Sequence, residues 1–290
     1  MDTLFADMHI HTQHSDGTMS SEECVKYAQL VGLTAIAITD HDTTNGIPTA
    51  IKEGSKRGIE VIPGIELSAE LKNSHEEEMH ILGYFINWED EHLQQKLKLF
   101  RQARGKRAVH ILEKLKKLGI PINEKRLYEV AGIGAIGRLH FAKVMVEQNI
   151  VSQTQEAFQK YLGDNKPAYV PKLRLRPDEA IKMILKVGGI PVLAHPHFGH
   201  INKTVIKALV KEGLKGIEVW HTNHPHDVTE KFKKIAAAFG LLPTGGSDYH
   251  GIVDKNFAMI GSTKIPYAAV ISLKKYKNNL DRSNCTLSFS

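Results

Sequence analysis

Two rhythms of apolar and polar positions alternate along this chain. Leu4–Ile10 is a short apolar stretch, followed by helical spacing over Ser21–Val31 and an apolar run over Ala35–Thr39. A second helical pattern covers Ile47–Arg57, and strands are expected over Ile59–Pro63 and Met79–Ile86. Short apolar runs separated by amphipathic helices predict parallel strands joined by crossover helices. Between 91 and 165 the rhythm changes: Leu93, Leu97, Phe100, Val109, Leu112, Leu115 and Leu118 recur at helical spacing. Further helices are expected over Glu124–Val130, Leu139–Glu147 and Gln153–Tyr161. The alternation then resumes as helix Pro177–Val187, strand Ile190–Ala194, helix Asn202–Glu212, strand Gly216–Trp220, helix Val228–Phe239 and strand Leu241–Gly245. One α/β barrel formed by 1–90 and 166–271, interrupted by a helical insertion at 91–165, accounts for both halves. The polar tail, 272–290, gives little to read.

Size and composition narrow the class. A chain of 290 residues can bury a full core without disulfides. The two cysteines, Cys24 and Cys285, are far apart, so no disulfide is expected and a thiolate metal site is excluded. No apolar run approaches the ~18 residues that span a bilayer. The opening MDTLFADMHIH has an acid where a signal peptide carries bases, which predicts a cytoplasmic protein. Charge is unevenly placed: residues 91–176 hold 18 Lys or Arg against 7 Asp or Glu, so the net +6 of the chain leaves the remainder at −5. A basic segment on a neutral-to-acidic body suggests an anionic partner, and Arg101, Arg104, Lys106 and Arg107 form its densest part. That stretch has no interleaved aromatics, so recognition of phosphates rather than stacking of bases is expected there.

Several of the sixteen histidines cluster where the predicted strands end. His9 and His11 alternate on one strand and so point the same way. Asp40-His41-Asp42 follows the second strand, Glu66 the third, His195 a later one, then Glu218 and His221, and finally Asp248 and His250. Strand C-termini of a parallel barrel open on one face, where active sites are built. His80 begins its apolar run, so its strand either starts near the rim or runs antiparallel. Imidazole and carboxylate groups gathered at one rim are what divalent transition metals require. His14, His197 and His200 lie beside these motifs and are read as supporting or surface residues.

The motifs Asp7-x-His9-x-His11-x-x-x-Ser15-Asp16-Gly17, Thr39-Asp40-His41-Asp42, Pro63-Gly64-Ile65-Glu66, Ala194-His195-Pro196 and Gly246-Ser247-Asp248-Tyr249-His250-Gly251 resemble the polymerase and histidinol phosphatase (PHP) superfamily. The resemblance implies a distorted seven-stranded β/α barrel holding two or three divalent ions, manganese first, with zinc or iron as alternatives. It implies one ion on His9, His11, Glu66 and Asp248, a second on Asp16, His41 and His250, and a third on Glu66, His80 and His195. Gly137-Arg138-Leu139-His140, the mid-chain insertion and Trp220-His221-Thr222-Asn223-His224 resemble the branch acting on nucleotide phosphates. That branch usually has Pro where Leu139 stands and Tyr where Trp220 stands.

The activity implied is hydrolysis of nucleoside 3′,5′-bisphosphates or of the 5′ end of short RNA, by water that the metals activate. Arg138 is the residue expected to bind phosphate, because a guanidinium fits two phosphate oxygens in a fork, with His140 as a second donor. His224 is placed as a proton donor or substrate contact. A nucleotide or short RNA is the partner expected; no membrane or obligate protein partner is. Two alternatives stand beside this reading: a histidinol-phosphate phosphatase, and a nucleic-acid-binding accessory module whose metals are structural. A metal-dependent amidohydrolase fits less well, because Glu66 takes the bridging place where a carbamylated lysine would stand.

Overall fold

The computed structural model describes residues 4–70, 78–134, 136–173, 175–197, 201–251 and 258–287. His200 and the side chain of Cys285 lie outside the described residues. Strands β1 (Phe5–Ile10), β2 (Ala35–Ile38) and β3 (Glu60–Glu70) alternate with helices α1 (Ser21–Leu30) and α2 (Ile47–Arg57). Each helix starts and stops for local reasons. Ser20 and Glu23 form a reciprocal capping box at α1, while α2 has Pro at its first turn and ends on Gly58 in the left-handed region. Strand β4 (Glu78–Tyr84) comes next, then β5 (Ile190–Leu193), β6 (Gly216–His221) and β7 (Leu242–Gly246), with α7 (Pro177–Lys186), α8 (Lys203–Lys211) and α9 (His226–Phe239) between them.

With the short strand β8 (Ile265–Pro266), these strands form one sheet in the order β7-β6-β5-β4-β3-β2-β1-β8. The sheet curls until its ends meet: the His11 amide donates to the Tyr249 carbonyl at 3.0 Å and the Asp248 amide to the His9 carbonyl at 2.9 Å. Four neighbouring pairs are parallel, but β4 is antiparallel to both β3 and β5. This settles the orientation of the His80 strand, and His80 pairs with Ser68 of β3. Two features depart from the sequence reading. An eighth strand, β8 (Ile265–Pro266), adds a two-residue antiparallel edge to β1; two residues carry no periodicity to read. The supposed polar tail is largely helix α10 (Tyr267–Leu287), which buries Val270 and Leu273 against the barrel. Its other turns are polar, which hid the pattern.

The helical segment has its own core. Helix α3 (Glu91–Lys117), capped by Asp90, is 27 residues long. Leu93 and Leu97 pack into the main barrel core, whereas Ala108, Ile111 and Leu115 belong to a separate cluster with Leu127, Phe141 and Met145. The apolar stripe therefore changes partner along the helix. Val109 and Leu118, placed on the buried stripe by spacing alone, are 48% and 45% exposed. Helices α4 (Glu124–Ala131), α5 (Arg138–Glu147) and α6 (Thr154–Ala157) complete this cluster, followed by a π-helical turn at Phe158–Leu162. No helix among the described residues is long and apolar enough to cross a membrane.

Closure of the barrel leaves no room at Gly246. A Cβ there would lie 2.4 Å from the His9 backbone nitrogen and 2.6 Å from Asp7 Oδ1, a carboxylate held in place by the Ser247 and Gly261 amides. Gly246→Ala is expected to destabilise by about 1–3 kcal/mol through overpacking; a denaturant melt showing a wild-type midpoint would refute it.

Candidate metal centre

The side chains at the strand ends meet in one buried knot. His9 and His11 are fully buried, and their Nε2 atoms lie 3.1 Å apart. Glu66 Oε2 is 3.2 Å from His9 Nε2 and 3.1 Å from His11 Nε2, and Asp248 Oδ1 is 3.2 Å from each. The same Glu66 oxygen is 3.1 Å from His41 Nδ1, while Oε1 is 2.8 Å from His80 Nδ1 and 3.1 Å from His195 Nε2. One carboxylate thus faces five imidazoles. On the outer side, Asp16 lies 3.8 Å from His11 and His41 and 3.5 Å from His250.

Three groups have the spacing to hold an ion: His9, His11, Glu66 and Asp248; His11, Asp16, His41 and His250; and His41, Glu66 and His80. These groups hold eight of the nine expected residues, and the ninth, His195, lies 3.1 Å from Glu66 Oε1. The grouping differs in detail, because His11 and His41 each reach two groups and His195 stands beside the third, 3.2 Å from His80. Ligands crowd one another here in a way hydrogen bonding does not satisfy. His11 Nδ1, His41 Nδ1, Asp16 Oδ1 and Asp248 Oδ1 are buried without a hydrogen-bond partner. Buried polar atoms are normally paired, and a mixed N/O donor set with lone pairs to spare is what Mn, Zn or Fe accepts. The residues fit such ions.

Charge in the knot is set by these contacts. Burial alone lowers the His9 and His11 imidazoles, but the adjacent carboxylates outweigh it. Asp248, Glu218 and Glu66 hold His9 well above its ordinary value, and Asp248, Glu66 and Asp16 push His11 up to about 10. Burial raises Glu66 and Asp248, yet the surrounding histidines pull both well below the usual carboxylate range. His41, for which burial dominates, is held well below its ordinary value.

Supporting groups orient the knot. Glu218 Oε1 accepts from His9 Nδ1 at 3.1 Å and its Oε2 accepts from the His195 amide at 2.7 Å, which fixes the tautomer that turns Nε2 inward. Asp7 accepts from the amides of Ser247 and Gly261, tying β1 to the residues beyond β7. Asp40 accepts from the Thr12 amide and hydroxyl at 2.7 Å and from Ser15 at 2.5 Å, which anchors the loop carrying Asp16. Asp42, His195 and Asp248 all have positive φ, 51°, 24° and 55°, a backbone state that is costly outside glycine. Sequence reading placed Glu218 among the groups at the rim but gave it no particular role. A carboxylate inside the apolar strand Gly-Ile-Glu-Val-Trp was the signal for it.

A cleft of about 200 Å³ adjoins the knot, lined by Asp16, His41 and His80 together with Arg104, Arg107, Arg138, His140 and Lys172. Arg138 opens α5 and sits 5.7 Å from the ring centres of both Phe158 and Tyr169, donating to Asp164 at 2.6 Å. His140 Nδ1 accepts from the Gly137 amide at 3.1 Å, which leaves the proton on Nε2, and burial lowers its pKa. His224 is outside this lining. Its Nδ1 donates to the Val219 carbonyl at 3.0 Å, and burial brings its pKa down to about 4, so the ring is neutral near pH 7 with Nε2 an acceptor. His14 is half-buried and His197 exposed.

A barrel with a His/carboxylate knot at its mouth and a cationic cleft beside it defines a metal-site α/β barrel protein. The PHP domain family model matches residues 7–242, and the chain belongs to that family. It is 31% identical over 249 residues to a 3′,5′-nucleoside bisphosphate phosphatase of Chromobacterium violaceum, covering 84% of this chain and 86% of that one. It is 34% identical over 250 residues to a 5′-3′ exoribonuclease of Haemophilus influenzae, covering 84% and 89%. Among solved structures, a candidate metal-dependent phosphoesterase from Bifidobacterium adolescentis superposes with a TM-score of 0.83 at 29% identity, covering 92% of this chain and 94% of that one.

Proposed function

We propose that this chain is a metal-dependent phosphoesterase that hydrolyses nucleoside 3′,5′-bisphosphates or releases nucleotides from the 5′ end of short RNA. The observation that carries this reading is the juxtaposition of the nine-residue His/carboxylate knot with a cleft lined by arginines, lysine and histidine. His9, His11, Glu66 and Asp248 would hold one ion, Asp16, His41 and His250 a second, and His80 and His195 with Glu66 a third; manganese is the metal we favour. Bound ions supply Lewis acidity and a water acidified towards ~7. Arg138, its guanidinium already oriented by Asp164 and two aromatic rings, binds phosphate oxygens in its fork. The Nε2 proton of His140 and the amides opening α5 add donors at the same end of the cleft. On this reading residues 91–165 are an insertion that roofs the mouth of a barrel made from 1–90 and 166–271.

Phosphate release from adenosine 3′,5′-bisphosphate, from AMP, from histidinol phosphate and from a short 5′-phosphorylated RNA tests the reading. Turnover of the bisphosphate or stepwise loss of 5′ nucleotides is expected. Activity confined to histidinol phosphate would keep the metal chemistry and overturn the substrate. Bound metal with no turnover would point to an accessory module.

A further inference from the structure

Strand β6 supplies none of the residues in the three ion-holding groups, yet two of its side chains are buried against them. Glu218 and His221 are 0% and 4% exposed. Regular alternation would turn Trp220, not His221, to the face that carries Glu218. The pairing with β7 breaks that rule: Glu218 faces Thr244 and Trp220 faces Gly245, so Val219 is an extra residue in the ladder. A bulge of this kind re-aims the side chains that follow it. Here it leaves Trp220 partly exposed, with Lys233 over its ring, and turns His221 inward. A Cβ at Gly245 would lie 2.1 Å from the Trp220 carbonyl oxygen, so the bulge requires glycine opposite it.

The turn after the bulge fixes the His221 ring. The Asn223 amide donates to Nδ1 at 3.1 Å, which places the ring proton on Nε2, and Nε2 donates to Asp248 Oδ2 at 3.3 Å. The His224 amide donates to the His221 carbonyl at 2.9 Å, and Thr222 Oγ1 donates to the Ser247 carbonyl at 2.9 Å. The turn is thereby tied to the residue before Asp248. With Oδ2 held, Oδ1 is the atom that Asp248 turns to the knot, 3.2 Å from Nε2 of both His9 and His11 and without a hydrogen-bond partner. The His221 side chain is 1% exposed, too buried to meet a substrate. Glu218 acts beside it, on His9 Nδ1 and on the His195 amide.

We propose that His221 is a positioning residue for metal binding: by donating to Asp248 Oδ2 it presents Oδ1 to the ion held by His9, His11, Glu66 and Asp248. Glu218 serves the same ion through His9, and the ion beside His195 through the end of β5. Strand β6 thus sets the affinity of two ions without touching either. The inference rests on the metal-centre reading above. Asp248 belongs to one group only, so the effect of His221 is confined to one ion.

The test titrates manganese into metal-stripped, full-length protein, with the Kd of each ion taken from calorimetry and bound metal counted on the same samples. In His221→Phe one Kd is expected to weaken about 10- to 100-fold, the scale on which outer partners of metal ligands act, while the others stay at wild-type values. His221→Gln, whose amide nitrogen stands near the place of Nε2, should recover most of the loss. Glu218→Gln should weaken two ions. His221→Asn, whose amide stops at the place of Nδ1, is expected to behave as His221→Phe and decides the matter should that variant not fold. Wild-type affinities in the Phe and Asn variants would overturn the proposal. Equal weakening of every ion, with Gln no better than Phe, would overturn it too. Manganese bound without turnover of any nucleotide would defeat the proposed function and leave this test standing, whereas a wild type that binds no manganese would defeat both.

Discussion

Glu66→Gln is expected to lower kcat on the nucleotide substrate by about 10³-fold or more, the scale of losing a preorganised electrostatic element of an active site. Glu66 is fully buried and its two oxygens lie within 3.2 Å of five different imidazoles. The amide keeps the volume and removes the charge. Those imidazoles then share one anion fewer, and two of the three ion-holding groups lose a carboxylate donor. Bound metal per chain, measured on the same sample, should fall together with kcat, while the far-ultraviolet circular dichroism stays that of wild type. Full activity in Glu66→Gln would remove this residue from the centre of the chemistry.

Metal removal carries the other large effect. An ion present at a hundred times its Kd stabilises the folded chain by about 2.7 kcal/mol, and for a chain of this size each kcal/mol shifts Tm by roughly 2 °C. Stripping even one such ion should therefore lower Tm by about 5 °C, and stripping more sites by correspondingly more. Much of this comes from the knot itself, where buried atoms of His11, His41, Asp16 and Asp248 have no other hydrogen-bond partner. Thermal melts of the metal-loaded protein with and without a chelator check this, with metal restored in excess as the control. An unmoved Tm would mean that the knot is satisfied without ions.

Much of this site was legible along the chain because a strand end is a local event. A short apolar run followed by His-x-His, Asp-His or Ser-Asp-Tyr-His states both where the strand stops and which side chain stands there. What escaped was decided by partners far away in sequence. The pairs Asp42–Arg104 and Ser68–Lys172 join residues 62 and 104 positions apart, and nothing local distinguishes Arg104 from the other bases of its stretch. The two-residue β8 is too short to show alternation. His80 sits on a strand whose direction depends on which neighbours it pairs with, and so its sequence left both directions open. On α3 the helical period was plain, yet the buried face could not be, because the helix passes from one core to another between Leu97 and Ala108.

The central claim, that this His/carboxylate knot performs phosphoester hydrolysis through bound metal, is tested most directly by titrating manganese into metal-stripped protein. Bound metal and phosphate release from adenosine 3′,5′-bisphosphate would be followed together, with His9→Ala alongside. Activity is predicted to be absent in the stripped protein, to rise as metal fills the knot, and to stay absent in His9→Ala at any metal concentration. Undiminished activity in the stripped protein, or in His9→Ala, would contradict it.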